Sequence, residues 1–296
     1  MATVIDKEWR KKEPSLQDII KKYPTVSPFI IIQIDVQRRG VHYTDRALEK
    51  LDTNIHKVTT SKNKQGEVRV TPASFLLRDG TSVIVSETST QTHREPYTID
   101  VVDNKIVLVD QDNVIEEVEY WEKPKYFDKF TSRGTPMSEV VDARPQRFSV
   151  TMSRYCHFWS VPGQGCKYCG IGSSGVKYRN TDNDRVNIQD LKETMQELIK
   201  EKGRYVGVIL TGGSILSGKE LCDDELEGYI EALQAIGSVI GAKKFPSQVN
   251  STALTEKQLL RLYEETGLTS YTTDLEAFDE DIYKWVCPGK AAHISF

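Results

Sequence analysis

The 296-residue sequence lacks several features that would place it in a special class of protein. It contains no run of about 18 consecutive apolar residues, so no transmembrane helix is expected. Residues 1–12 carry several charges and no apolar core, so no secretory signal is expected either. No internal repeat or low-complexity tract is present. The remaining composition, with 38% hydrophobic and 28% charged residues, is typical of a soluble globular protein of one or two domains.

The sequence also lacks a surplus of positive charge and is poor in cysteine. Its 39 Lys and Arg residues stand against 43 Asp and Glu residues, which gives a formal net charge of −4. A large nucleic-acid interface is therefore not expected, and nothing indicates a membrane partner. The five cysteines are odd in number, and three of them are clustered. This usage indicates a reduced, intracellular protein that binds metal through its thiols, and we expect a cytoplasmic location.

The clustered cysteines are Cys156, Cys166 and Cys169, with the spacing C-x9-C-x2-C. The C-x2-C half predicts two thiolates on one tight turn, and the proline and glycines before it allow the loop to bring in a third. No fourth cysteine or histidine follows at ligand spacing, although His157 stands directly beside Cys156. A structural zinc site needs four protein ligands, whereas three thiolates leave one iron of a [4Fe-4S] cluster open. A zinc knuckle and buried reduced cysteines are the alternatives.

Three cysteines at the end of a predicted strand, with the aromatic Tyr168 just before the last, resemble the cluster loop of the radical S-adenosylmethionine (SAM) enzymes. The resemblance implies a [4Fe-4S] cluster on the three cysteines, with SAM bound at the open iron and with Tyr168 close by. It also implies reductive cleavage of SAM to methionine and a 5′-deoxyadenosyl radical. The commonest spacing in that superfamily is C-x3-C-x2-C, so this chain departs from it. The Elp3-type tRNA-modifying enzymes share its longer first gap, and the subfamily stays unassigned.

Two further segments resemble SAM-binding motifs of that superfamily. Gly212, Gly213 and Ser214 follow a predicted strand and are similar to its Gly-Gly-Glu motif, which implies contact with the SAM amino group; a plain strand-to-helix turn explains them as well. Asp274 and Glu276 match the strand end of biotin synthase and its relatives, which implies hydrogen bonds to the SAM ribose hydroxyls. The alternative is that both carboxylates merely begin a helix.

The other candidates are less specific. Asn250 and Thr252 end a predicted strand and are candidates for contact with SAM or substrate. Cys222 and Cys287 are expected to be structural, since Pro and Gly follow Cys287 as they would at a helix end. No catalytic residue that acts on the substrate is predicted.

Four parts are predicted along the chain. Residues 1–28 form a helical arm, residues 29–122 a β-rich domain of unknown role, and residues 123–146 a linker. In residues 147–296 strands and helices alternate four times, which predicts a parallel α/β unit. The strands predicted in the β-rich part lie at residues 29–36, 67–70, 74–77, 82–85, 98–102, 105–109 and 114–120. The strands predicted in the last part lie at residues 147–154, 205–210, 245–250 and 269–273, and its helices at residues 187–202, 223–240, 255–266 and 279–286.

Four βα units make half of a TIM-like barrel, whereas the resemblance implies six. The predicted fold class is therefore α/β, with a partial TIM-like radical SAM barrel after a small, mostly-β N-terminal domain. A half barrel would leave an apolar strand edge unpaired, so we expect the sequence to be truncated at its C-terminus.

The leading functional hypothesis is a radical SAM enzyme that acts on an unidentified small molecule or peptide and takes electrons from a flavodoxin or ferredoxin. One alternative is an Elp3-like tRNA-modifying protein, which the acidic net charge disfavours. The other is a zinc-binding interaction protein without enzymatic activity.

Overall fold

The computed structural model describes residues 14–63, 66–85, 87, 95–171 and 184–294. The chain forms two compact units, Met1–Lys123 and Pro124–Phe296. Within the described stretches, no helix combines the length and the apolar character that a membrane crossing requires.

The first unit combines helices with a mainly antiparallel sheet. Its described helices are α1 (Leu16–Lys22), α2 (Pro28–Arg39) and α3 (Asp45–Leu48). Its described strands are β1 (Val41–Tyr43), β2 (Val58–Lys62), β3 (Val68–Pro72), β4 (Phe75–Leu77), β5 (Ser82–Val83), β6 (Tyr97–Val102), β7 (Lys105–Asp110) and β8 (Asn113–Tyr120). The main sheet has the order β1-β6-β7-β8-β4-β5, and β2 pairs with β3 separately. The buried core draws on both kinds of element, because Leu16 and Ile32 of the helices pack in one cluster with Phe75 and Leu108 of the sheet.

The apolar run at residues 29–36, predicted to be a strand, is helix α2. Pro28 begins this helix, at a position where the missing N–H removes no intrahelical hydrogen bond. Burial follows helical spacing, because Ile32 and Val36 are buried while Ile34 is exposed. The prediction was wrong because a continuous apolar run does not separate a strand from a buried helix by periodicity. Of the predicted N-terminal arm, residues 1–13 lie outside the described residues, and α1 forms with Ser15 as its N-cap.

The second unit is a mixed α/β half barrel. Its strands in the described residues are β9 (Asp142–Arg144), β10 (Gln146–Thr151), β11 (Tyr205–Thr211), β12 (Ser247–Asn250) and β13 (Ser270–Thr272). Its helices there are α4 (Met137–Val140), α5 (His157–Ser160), α6 (Ile188–Leu198), α7 (Asp223–Ile240), α8 (Glu256–Thr266), α9 (Glu280–Val286) and α10 (Pro288–His293). The sheet has the order β13-β12-β11-β10-β9; β10 to β13 are parallel, and β9 runs antiparallel to β10.

The alternating strands and helices predicted for this unit are confirmed to within a few residues at each end. The helix bounds could be predicted because capping residues mark them in the sequence. Thr255 and Gln258 form a reciprocal capping box at the start of α8, and Gly267 ends that helix in the left-handed conformation. Asn187 caps α6 by accepting hydrogen bonds from the backbone of Gln189 and Asp190 at 3.0 and 3.1 Å.

The segment predicted to be a linker, residues 123–146, is instead largely part of the second unit. Helix α4 and strand β9 lie in it, and Tyr126 is buried with its hydroxyl donating to the Val141 carbonyl at 3.0 Å. The short elements and the prolines of this segment leave no periodic signal in the sequence, which is why the prediction missed them.

Candidate functional site

The candidate site residues follow the carboxyl ends of the four parallel strands, which meet at one edge of the sheet. The cysteine loop follows β10, and the Gly212–Ser214 turn follows β11. Two hydrogen bonds join these loops to each other and to the loop after β12. The backbone N–H of His157 donates to the Ser214 carbonyl at 2.8 Å, and the Thr252 hydroxyl donates to the Ser214 hydroxyl at 2.6 Å. This edge of a parallel barrel sheet is where βα loops build active sites.

The two glycines let the cysteine loop approach β11 very closely. A Cβ atom at Gly213 would lie 2.1 Å from the Tyr155 carbonyl oxygen and 2.7 Å from Cys156 Cβ. At Gly212 it would lie 2.7 Å from the Ser153 backbone nitrogen. The Gly213 N–H donates to the Ser153 carbonyl at 2.9 Å. The structure therefore gives this glycine pair a packing role against the chain itself, and its contact with SAM stays a prediction.

The three motif cysteines lie on one loop but differ in exposure. Cys156 and Cys166 are buried, Cys169 is half-buried, and all five cysteines, which lie in described stretches, are free thiols. The Cys169 N–H donates to the Cys166 carbonyl at 3.2 Å, which closes the tight turn predicted for C-x2-C. Burial, followed by the neighbouring Cys287 thiol, raises the pKa of Cys166 to about 12.

The cysteine loop offers thiolate donors, which are the usual ligands of an iron–sulfur cluster. Within the described part of the chain, no three His, Cys, Asp or Glu side chains converge closely enough to hold one ion. A four-iron cluster binds thiolates that stand further apart than the ligands of one ion, and soft thiolates are its usual ligands. Free, largely buried thiols on a loop held by glycine packing fit such a cluster.

A second group of residues meets around Tyr168 of this loop. The Tyr168 hydroxyl is hydrogen-bonded to Glu276 and accepts from the Cys287 thiol at 3.6 Å. Glu276 also forms an ion pair with Lys290, and both side chains are largely buried. Burial alone would lower the pKa of Lys290, but Glu276 outweighs it and the pKa is raised. Glu276 is therefore already engaged by the protein, and Lys290 is a site residue that the sequence analysis missed.

The remaining residues around the loop are more scattered. Asp274 accepts a hydrogen bond at 3.5 Å from Asn250, which is another candidate for contact with SAM or substrate. The Arg154 guanidinium donates to the Glu139 carbonyl at 2.5 Å. The His157 ring meets Phe158 and His293 edge-on, with ring centroids 6.0 and 6.3 Å apart. These contacts hold the ends of the loop in place.

Glu225 is a buried carboxylate that the sequence analysis also missed. It is 5% exposed, and its Oε2 accepts the backbone N–H of Ile215 at 2.7 Å. Burial raises its pKa to about 7, although hydrogen bonds from the backbone of Ile215 and Thr252 act against that rise. A cavity of about 220 Å³ adjoins it, with Ser153 and Gly213 in its walls. In the sequence Glu225 stands in an acidic first helical turn, where a solvent-exposed role was the natural expectation.

Comparison with known proteins identifies this region. The family model of the radical SAM superfamily matches residues 154–293, which contain the cysteine loop and the βα units after it. Residues 154–293 are therefore similar to the radical SAM superfamily, which is the superfamily that the cysteine motif predicted. No subfamily is assigned. Searches of the curated proteins and of the solved structures gave no match.

Proposed function

We propose that this protein is a radical SAM enzyme that holds a [4Fe-4S] cluster on Cys156, Cys166 and Cys169. The observation that carries the proposal is the set of three free thiols on one loop at the carboxyl edge of the half barrel, inside the region that matches the superfamily. When bound, the cluster supplies the electron that cleaves SAM to methionine and a 5′-deoxyadenosyl radical.

The chain's own residues position SAM and exclude water. The backbone of Gly212 and Gly213, with Ser214, is proposed to hold the SAM amino group. Asp274 and Glu276 are proposed to hold the ribose hydroxyls, with Tyr168 at the adenosyl side of the loop. Phe158, two residues after Cys156, is fully buried and is proposed to keep solvent from that end of the loop.

Glu276 can accept a hydrogen bond from a ribose hydroxyl without losing its ion pair with Lys290. A carboxylate has enough lone pairs to accept from a ribose hydroxyl while it remains paired with an ammonium group. Lys290 and Tyr168 are thus proposed to orient Glu276.

We propose a small molecule or a peptide as substrate, and a flavodoxin or ferredoxin as reductant. The C-x9-C-x2-C spacing favours a second candidate, an Elp3-like enzyme that modifies tRNA. Stimulation of SAM cleavage by tRNA, absent with peptides, would favour the second candidate.

The test is SAM cleavage by the anaerobically reconstituted protein with dithionite as reductant. We expect 5′-deoxyadenosine and methionine to form in equal amounts, detected by liquid chromatography. Cys166→Ser is expected to abolish both iron binding and cleavage. Cys222→Ser is the matched control, because Cys222 is also buried in the second unit but lies outside the loop. A colourless wild-type protein with one zinc per chain and no 5′-deoxyadenosine would overturn the proposal in favour of a zinc-binding interaction protein.

A further inference from the structure

Hydrogen bonds from three different elements hold the end of the turn after β11. The cysteine loop contributes the His157 N–H, which donates to the Ser214 carbonyl at 2.8 Å. The loop after β12 contributes the Thr252 hydroxyl, which donates to the Ser214 hydroxyl at 2.6 Å. Helix α7 contributes Glu225, whose Oε2 accepts the Ile215 N–H at 2.7 Å. Glu225 is therefore the contact through which α7 holds this turn.

Glu225 also holds the loop after β12, because its carboxylate accepts the Thr252 backbone N–H. The same loop is bonded to β13 by Tyr271. The Tyr271 hydroxyl donates to the Thr252 carbonyl at 2.5 Å and accepts the Leu254 N–H at 3.1 Å. Glu225 thus links the backbones of two loops at the carboxyl edge of the half barrel.

Packing does not hold the turn where it borders the cavity beside Glu225. This cavity of about 220 Å³ has Met152, Ser153 and Gly213 in its walls. Atoms in a filled interior are fixed by their neighbours, whereas atoms that line a void have no partner on one side. The position of the turn along this wall therefore depends on hydrogen bonds such as those to Glu225.

A carboxylate at this place costs stability. Glu225 is 5% exposed, and burial raises its pKa to about 7. The backbone hydrogen bonds and the charge of Lys290 offset this cost only in part. An amide of the same shape would bury no charge. Buried ionisable groups that are costly in this way are typical of functional sites, which indicates a role beyond folding.

We propose that Glu225 is a positioning residue of the SAM site. By accepting the N–H groups of Ile215 and Thr252, it holds the turn after β11 in its SAM-binding form before SAM arrives. This inference rests on the proposed function, in which that turn binds the SAM amino group. A site that is already ordered loses less conformational entropy when its ligand binds, so the ligand binds more tightly. In this role Glu225 acts through the two loops and does not touch SAM.

The experiment measures SAM binding to the anaerobically reconstituted full chain by isothermal titration calorimetry, at a pH at which Glu225 is ionised. No reductant is added, so SAM is not cleaved and the readout is affinity. Glu225→Ala removes both acceptors, and we expect it to bind SAM about tenfold more weakly than the wild type. Glu225→Gln keeps one acceptor oxygen, and we expect a loss of about threefold.

The matched control is Glu231→Gln, which removes a carboxylate from the same helix. Glu231 lines the same cavity, but its side chain is exposed to solvent. An exposed charge of this kind contributes little, so we expect this variant to bind SAM as the wild type does.

Two further readouts separate a positioning role from a purely structural one. Glu225→Gln buries no charge, so we expect it to be at least as stable as the wild type to urea at that pH. Its weaker SAM binding could then not result from a less stable fold. Amide hydrogen exchange at residues 212–216, measured without SAM, is expected to be faster in Glu225→Ala than in Glu231→Gln.

Two outcomes would overturn the inference while the proposed function stands. One is equal SAM affinity in the wild type, Glu225→Ala and Glu225→Gln. The other is a loss of affinity that appears only in a variant that urea also unfolds more easily, which would give Glu225 a purely structural role. A wild type that takes up no iron or binds no SAM would refute the proposed function, and this inference with it.

Discussion

Gly213 is the single residue where a methyl group would do most damage to the cysteine loop. The Cβ atom of Gly213→Ala would have to displace the Tyr155 carbonyl and the Cys156 side chain. Because neither is the flexible end of a side chain, we expect a loss of about 1–3 kcal/mol in the free energy of unfolding. We also expect reduced iron uptake on reconstitution. Urea unfolding and iron analysis measure the two effects.

The matched control for that substitution is Gly228→Ala. Gly228 lies within α7, where an added Cβ would be 3.9 Å from Met152 Cε, an ordinary contact. Alanine is the better helix former by roughly 0.5–1 kcal/mol, so this variant should be at least as stable as the wild type and take up iron normally. If Gly213→Ala behaved as Gly228→Ala does, the close packing of the loop on β11 would be refuted.

The raised pKa of Glu225 is expected to make the free energy of unfolding depend on pH. Its pKa rises from an ordinary 4.5 to about 7 in the folded protein, so the folded state binds more protons than the unfolded state between those two values. The free energy of unfolding should therefore fall as pH rises through this window and level off above it, by at most about 3 kcal/mol from this group. Glu225→Gln keeps an acceptor for the Ile215 N–H and cannot ionise. Its free energy of unfolding should therefore fall less than that of the wild type as pH rises through this window.

The free energies of unfolding of the wild type and Glu225→Gln are compared by urea unfolding at pH values below and above this window. Above it, where the wild-type carboxylate is charged and buried, the variant is expected to be the more stable protein. Parallel pH profiles for the two proteins would mean that Glu225 is not responsible.

At the scale of elements, Arg39 at the end of helix α2 links this helix to the sheet of the first unit through a buried ion pair. The Arg39 guanidinium, 2% exposed, bonds Asp110 at 2.6 Å and Asp35 at 3.3 Å, and Tyr97 donates to Asp35 at 2.7 Å. Arg39→Ala would leave the two carboxylates without this buried cation. We expect a loss of about 3–5 kcal/mol in the free energy of unfolding, measured by urea titration of the full chain.

Arg38→Ala is the natural comparison for that variant. Arg38 precedes Arg39 in the same helix and pairs with Asp35 at 2.8 Å, but its side chain is 40% exposed. A solvent-exposed pair of this kind contributes less than about 1 kcal/mol. Equal losses for the two variants would show that the buried network does not hold α2.

The elements also show what the sequence can and cannot predict. The caps Thr255 and Gly267 and the alternation of strands and helices made the half barrel readable, because these signals are local. Residues 29–36 were misread, since an apolar run of that length suits a buried strand and a helix equally. The proximity of Cys287 and Lys290 to the cysteine loop could not be predicted from the sequence, because it depends on how α9 and α10 pack against that loop.

At the scale of the whole molecule, the cysteine motif and the superfamily match both lie in the second unit. The superfamily of this region was predictable because cysteine spacing is a property of the local sequence, whereas the role of the three cysteines as metal ligands stays a prediction. The first unit carries no motif that the sequence links to this chemistry, and no role is predicted for it.

The central claim is that the second unit holds a cluster with one iron available to SAM. The most direct measurement is the EPR spectrum of the anaerobically reconstituted, reduced protein before and after SAM is added. We expect a [4Fe-4S]⁺ signal whose g-values change with SAM. A signal that SAM leaves unchanged, or stoichiometric zinc and no cluster signal at all, would contradict it.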